Sequence, residues 1–255
     1  MSNPRLPVEL LDHVADYLHG RKEALRNCCL VSKSWIPRAR KHLFADIRFN
    51  TRAVQESWKE MFPDPSISPA HYTKTLLIDC SHIVTAADAE ARSWIRGFSC
   101  VVHLRVYIRG LYSYESVAPL VPLHGFSPIV KSLRMEAIAL PSSQMFDFIL
   151  SFPLLEDLAV INSVSYGSPT PIHPSNPPKF TGSLELMMAV MGSIARQFLS
   201  LPGGLHFRKL VLMWTCEEHV PLTSALVERC SHTLESLDIT CYAFGTPIRR
   251  LSPYG

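Results

Sequence analysis

The segment FRKLVLMW, residues 207–214, contains the pattern that decides the fold of this chain. Alternate residues of a short β-strand point to the same side, so Leu210 and Leu212 are expected to enter one hydrophobic core. Phe207 stands three positions before Leu210 and completes the pattern apolar-x-x-Leu-x-apolar. The segment therefore predicts a short strand that is buried on one face.

The Leu-x-apolar signature of this segment occurs seven times in the chain. Successive signature leucines are separated by 25 to 29 residues, and in five of the seven copies an apolar residue precedes the leucine by three. The signature leucines are Leu76, Leu104, Leu133, Leu158, Leu184, Leu210 and Leu237. A period of this length with this core is typical of leucine-rich repeats, in which each unit adds one strand to a continuous core.

Helix-like segments lie between the predicted strands, so the fold class is an α/β solenoid with a parallel-strand array. The expected helices are near residues 53–61, 85–94, 142–150, 192–201 and 222–230. Two connections, residues 109–128 and 162–180, are rich in Pro, Gly or Ser and predict irregular surface loops. The array is expected to end without a proper C-terminal cap, as a truncated chain or a marginally stable last repeat.

Residues 6–44 predict a compact unit of three helices in front of this array. Pro7 suits the start of the first helix and Gly20 its end, the second helix covers residues 22–31, and Ser32 is expected to cap the third. The apolar stripe of the first helix is Val8, Leu11, Val14 and Leu18, widened by Leu10 and Tyr17. This is more apolar surface than a small bundle can bury, which usually marks a docking site.

The same stretch resembles the F-box. The resemblance rests on Leu6-Pro7, Glu9-Leu10-Leu11, Val14, Leu18, the run Leu30-Val31-Ser32-Lys33-x-Trp35, and Leu43-Phe44. Ser32 stands where many members of the family carry Cys. The resemblance implies that these helices contact a Skp-type adaptor, and the contact residues it implies are Leu6, Pro7, Leu10, Leu11, Val31, Lys33 and Trp35.

The rest of the chain resembles fungal F-box-like proteins, in which segments such as SLPGGLHFRKLVLMW and CSHTLESLDITCY recur. The implied organisation is an F-box domain in residues 1–50 and a leucine-rich-repeat-like solenoid in residues 51–255. The implied function is that of a substrate receptor in a Skp–cullin–F-box ubiquitin ligase. Its partners would be the adaptor, through it a cullin scaffold, and an unknown protein substrate.

Strand residues that flank the inward leucines are expected to line the exposed face of the array, the usual binding surface of solenoids. We expect an apolar central stripe flanked by arginines to contact the substrate. The predicted contact residues are Arg105, Tyr107, Arg134, Ile161, Met187, Val211 and Met213. The alternative is that a loop or the C-terminal tail covers this stripe.

Charge and composition leave two other functions open. The net charge is +3, but residues 1–52 carry +5 and the remainder −2. A basic N-terminal unit suits an acidic protein partner and, as a less favoured alternative, nucleic acid. A non-catalytic interaction scaffold outside a ubiquitin ligase, or a paralogue without a target, is the other alternative.

The sequence predicts neither catalysis nor a cofactor. It contains no hydrolase, zinc-protease, nucleotide-binding or dinucleotide-binding motif, and its histidines lack metal-ligand spacing. Seven scattered cysteines form no C-x-x-C pair, so neither a metal centre nor a redox centre is expected. No signal segment or membrane-spanning helix is predicted, and the expected location is the cytoplasm or the nucleus.

Overall fold

The structure, a computed structural model, describes residues 7–64, 66–81, 93–108, 120, 123, 128–166, 178–187, 191–214, 217–243 and 246–247. Its α-helices are α1 Val8–Tyr17, α2 Lys22–Val31, α3 Ile36–Leu43, α4 Arg52–Met61, α5 Ser142–Leu150, α6 Met191–Ser200 and α7 Val220–Cys230. Short 3-10 turns lie at Lys33–Trp35, Pro69–Tyr72, Ser93–Gly97 and Glu217–His219. Several predicted features lie outside the described residues, namely Leu6, residues 85–92 of the predicted helix 85–94, most of the 109–128 connection and the tail after residue 247.

The strands alternate with helices over most of the chain. They are β1 Asp46–Phe49, β2 Thr75–Asp79, β3 His103–Tyr107, β4 Ser132–Glu136, β5 Ala139–Pro141, β6 Asp157–Ile161, β7 Val164–Tyr166, β8 Ser183–Met187, β9 Lys209–Trp214, β10 Ser236–Ala243 and β11 Thr246–Pro247. Apart from β5 and β7, they form one sheet in which strand order follows chain order.

The main sheet is parallel from β1 to β10, and β11 pairs antiparallel with the end of β10. All seven signature leucines lie in one register, from Leu76 opposite Leu104 to Leu210 opposite Leu237. The chain is therefore an α/β protein with a mostly parallel sheet, as the repeating signature predicts.

The hydrophobic core lies between one face of this sheet and helices α5, α6 and α7. In β4, for example, Leu133 and Met135 are buried while the residues between and beside them are partly exposed. The ring of Phe198 on α6 packs edge to face against Phe146 of α5 at 5.2 Å and against Phe207 at 5.8 Å between ring centroids. The buried alternate residues of the strands and the apolar sides of the helices therefore pack together in one core.

The first strand of the sheet was not predicted from the sequence. β1 follows the N-terminal helices directly and pairs in parallel with β2, so the sheet begins inside residues 1–50, the segment that the resemblance assigned to the F-box domain. Phe49 of β1 anchors it, because its ring lies 5.6 Å from Trp58 of α4 and 5.0 Å from Trp94. A strand of four residues with partial burial carries too little alternation to be recognised in the sequence.

The prediction that residues 162–180 form an irregular surface loop was wrong in part. Val164–Tyr166 is a strand, β7, which pairs in parallel with β5 in a separate two-stranded sheet. Phe180 is fully buried, with its backbone at φ 45°, and belongs to the main core. The residues of this segment between 166 and 178 lie outside the described part of the chain.

Three N-terminal helices form, and α2 has the predicted bounds. α1 ends at Tyr17, with Gly20 in the turn that follows at φ 84°, and α3 begins at Ile36 after a 3-10 turn rather than directly after Ser32. Their core is small: Ala15, Leu25 and Ala39 are buried, and Trp35 packs partly against them. Ser32 caps the following 3-10 turn, since its hydroxyl accepts a hydrogen bond from the Ser34 amide at 3.3 Å.

Two further properties of the described residues bear on function. The cysteines at positions 28, 29, 80, 100 and 230 are free thiols. None of the helices described is long and apolar enough to cross a bilayer.

Candidate functional site

A set of exposed apolar side chains lies on the N-terminal helices. We call it the helical apolar surface, and its members are Val8, Leu10, Val14, Tyr17, Leu30 and Val31. Leu10, Val14 and Tyr17 have the spacing of one face of α1. The residues of α1 that face the other helices are Leu11, Ala15 and Leu18, whereas Val8 and Val14 of the predicted apolar stripe are exposed. Four large apolar side chains of α1, namely Val8, Leu10, Val14 and Tyr17, are therefore exposed.

The predicted adaptor contacts divide into exposed and inward-facing residues. Pro7, Leu10, Val31 and Lys33 are exposed. Leu11 is buried and Trp35 is half-buried against the helical core, so these two side chains shape the surface from beneath. α1 and α2 both contact the Lys33–Trp35 turn.

A polar clamp holds α1 against α3. Both carboxylate oxygens of Asp16 accept hydrogen bonds from Arg38, at 2.6 Å from Nε and 2.5 Å from Nη2, and the Nε2 atom of His42 lies 2.6 Å from Oδ1. These hydrogen bonds, from Arg38 first and then His42, lower the pKa of Asp16 far below its usual range. The same contact raises the pKa of the Arg38 guanidinium. The clamp therefore joins α1, which carries Leu10, Val14 and Tyr17, to α3.

The end of α3 is tied to the first strands of the sheet. The Phe44 carbonyl accepts a hydrogen bond from the Thr73 hydroxyl at 2.9 Å, and the Ala45 carbonyl accepts one from the Lys74 amide at 2.9 Å. The ring of Phe44 lies 6.1 Å from that of Trp58, inside the aromatic cluster that holds β1. The helical unit is therefore joined to the sheet by hydrogen bonds and by packing.

The second candidate surface is the outer face, which we define as the side of the main sheet away from α5, α6 and α7. The residues one position after each signature leucine lie opposite each other in the register, as do those three positions after. The first row is Leu77, Arg105, Arg134, Ala159, Glu185, Val211 and Asp238, and the second row is Asp79, Tyr107, Glu136, Ile161, Met187, Met213 and Thr240. The predicted alignment of these two rows is confirmed.

The predicted arginines of this face are paired with acids. Arg134 bonds Glu136 on its own strand, and its Nη1 lies 3.0 Å from Oε2 of Glu185 on β8. Arg105 lies 3.9 Å from Glu136, beyond hydrogen-bonding distance. We call these four residues the charge ladder. Ala159, opposite Arg134 and Glu185 in the register, leaves room for the long pair to cross β6.

The apolar part of the outer face is narrower than predicted. Met187, Val211 and Met213 are partly exposed, as expected for contact residues. Ile161 is only 6% exposed and is not available as a contact residue. It is the last residue of β6, where the chain turns through Asn162, at φ 48°, toward β7.

A cavity of about 350 Å³ opens on the outer face near the carboxyl ends of β1 to β4. It is lined by Asn50, Leu77, Asp79, Arg105, Val106, Tyr107 and Glu136. Sequence reasoning selected Arg105 and Tyr107 but not Asp79 or Asn50. The position of Asp79 three residues after a signature leucine was the available signal, whereas Asn50 follows the strand that the sequence did not reveal.

The described residues contain no group of three or more His, Cys, Asp or Glu side chains placed to hold a metal ion. No model of a known protein family, no curated protein and no solved structure matches this chain. The function of the two surfaces is therefore inferred from the exposure, distances and charges of their residues.

Proposed function

We propose that this chain is a substrate-receptor subunit of a Skp–cullin–F-box ubiquitin ligase. The N-terminal helices would bind the Skp-type adaptor, and the outer face of a leucine-rich-repeat-like array would bind the protein target. The chain would contribute positioning rather than covalent chemistry. The observation that carries the proposal is the helical apolar surface, which exposes six large apolar side chains on a unit of three short helices.

The physical argument is that exposed apolar clusters are costly unless a partner covers them. Burying a Val or Leu side chain contributes about 1.5–3 kcal/mol relative to its exposed state. Leu10, Val14 and Tyr17 share one face of α1, which is the arrangement an interacting helix presents to a groove. Exposed Pro7 and Lys33 border this set in the sequence, and both belong to the F-box resemblance.

The rigid junction between the helices and the sheet also favours a receptor. A ligase subunit must hold its target at a fixed place relative to the adaptor. The hydrogen bonds of Thr73 and Lys74 to the end of α3, together with the packing of Phe44 against Trp58, supply such a fixed relation.

The proposal is tested by capture of the full-length protein on an immobilised recombinant fungal Skp-type adaptor. We expect Val14→Asp to reduce capture at least tenfold, because it places a charge in the middle of the helical apolar surface. Val54→Asp is the matched control, since Val54 on α4 is 42% exposed and Val14 is 45% exposed. Equal capture of the two variants and the unmodified protein, or no capture of any of them, would contradict the proposal. Capture without a cullin in the assembled complex would favour a scaffold outside a ligase.

A further inference from the structure

The Asp79 cavity, as we name the cavity on the outer face, contains a buried carboxylate with an unused oxygen. Asp79 is 7% exposed, and its Oδ1 accepts hydrogen bonds from the amide and the hydroxyl of Ser81. Its Oδ2 accepts no hydrogen bond, and the carboxylate pairs with no cation, from any residue in the described part of the chain. Because Oδ2 keeps contact with solvent at the cavity, a cation that enters can pair with it in a partly desolvated setting.

The other charged groups of the cavity leave one carboxylate in excess. Glu136 and Glu185 are both paired with Arg134, and Glu136 also lies 3.9 Å from Arg105, so these two acids and two bases balance one another. Among the lining residues that the structure describes, Asp79 is the acid that forms no ion pair with a base. Tyr107 also lines the cavity, and aromatic rings attract ammonium and guanidinium groups through their faces.

We propose that the Asp79 cavity accepts the basic side chain of a lysine or arginine in an extended segment of the target protein. This inference rests on the proposed function, because it assigns chemistry to the outer face of the receptor. The volume, about 350 Å³, lies within the range of pockets that enclose small organic groups. The carboxylate would take the charge and the ring of Tyr107 would contact the aliphatic stem.

Two methionines of the outer face indicate where the bound segment of the target should carry an apolar side chain. Met187 and Met213 lie in the same row as Asp79 and Tyr107, three and four strands beyond β3 in the sheet order. At about 4.8 Å between strands, these methionines are roughly 14 and 19 Å from Tyr107. An extended segment rises about 3.3 Å per residue, so an apolar side chain about four to six residues from the base would reach them.

The experiment measures retention of the full-length protein on arrayed peptides of about 12 residues, long enough to span the outer face. Each peptide has a Gly-Ser background, one Lys or Arg, and one Leu or Met at a separation that varies along the array. We expect retention to peak at separations of about four to six residues. Asp79→Asn should reduce retention at the peak at least fivefold, while leaving Oδ1 able to accept the Ser81 hydrogen bonds.

Glu235→Gln is the matched control, because it removes one acid from an exposed pair with Arg208 far along the sheet. Retention that depends on the apolar residue but not on the base would overturn the cavity proposal and leave the outer face as a binding surface. Competition by free spermidine without any dependence on peptide spacing would overturn it in favour of a small-cation site. No retention of any peptide would overturn both the cavity and the outer face, whereas adaptor capture reports separately on the helical half.

Discussion

Arg134 and Glu185 form an ion pair across a strand to which neither belongs. Nη1 of Arg134 lies 3.0 Å from Oε2 of Glu185, and Ala159 of β6 occupies the register position between them. The methyl group of Ala159 is short enough for the guanidinium and the carboxylate to meet above it. The charge ladder therefore depends on a small residue that no charge pattern in the sequence identifies.

We expect Ala159→Leu to separate this pair. A double-mutant cycle with Arg134→Ala and Glu185→Ala should give a coupling energy of up to about 1 kcal/mol in the original background, because both side chains are partly exposed. In the Ala159→Leu background, the coupling measured by urea unfolding should fall to near zero. The pair of Lys131 and Glu156, at 2.7 Å, is the control and should keep its coupling. Unchanged coupling of Arg134 with Glu185 would show that Ala159 has no role.

The clamp at Asp16 makes the N-terminal helices sensitive to pH. Its pKa is lower in the folded protein than in the unfolded chain, where it is about 3.9, so its contribution to stability is present above that value. The contribution is lost as the pH falls below about 4 toward the lowered pKa of the folded state. We expect Asp16→Asn to weaken amide protection in α1 and α3 at neutral pH, as measured by hydrogen exchange.

The difference between the Asp16→Asn variant and the unmodified protein should shrink as the pH falls below about 4. Glu60→Gln on the exposed side of α4 is the control and should leave protection of α1 and α3 unchanged at every pH. A difference that stays constant through the acidic range would mean that the ionised carboxylate is not what joins these helices.

The long-range order of this fold could be predicted because one signature repeats. Leu133 and Leu158 are separated by 25 residues, close to the 26 to 29 residues between the other successive signature leucines, and the register pairs them directly. Repetition supplies the neighbours of each strand, which a single apolar segment cannot do. The two rows of the outer face follow from the alternation of strand residues between the two faces of the sheet. Arg105 and Met187 could therefore be placed on that face from the sequence alone.

Features that belong to one unit only could not be predicted. β1 is short and half-buried, and it is recognised as a strand because it pairs with β2. Ile161 has the sequence position of a contact residue, yet the turn at Asn162 leaves it buried. Helical spacing gives the apolar stripe of α1 but not the side that faces inward, and that side is set by packing of Ala15 against Leu25 and Ala39.

The aromatic cluster around Phe49 should be the most sensitive point of the junction between helices and sheet. Phe49 is 1% exposed, and its ring meets Trp58, Trp94 and Phe98 within 5.7 Å between centroids. We expect Phe49→Ala to lower the free energy of unfolding by about 3–5 kcal/mol, as measured by urea denaturation. Ile67→Ala, at an exposed position, should change it by less than about 0.5 kcal/mol. A small effect at Phe49 would indicate that β1 is dispensable for the sheet.

Gly182, just before β8, has no room for a side chain. A methyl group at Gly182 would collide with Oδ1 of Asp157, the atom that accepts hydrogen bonds from the Ser183 amide at 2.6 Å and its hydroxyl at 2.7 Å. We expect Gly182→Ala to cost about 1–3 kcal/mol in urea unfolding, through displacement of this carboxylate. In the Asp157→Ala background the obstruction is gone, and the same substitution should cost close to nothing. An equal cost in both backgrounds would place the obstruction at the Glu156 carbonyl, 3.0 Å from the added methyl, rather than at Asp157.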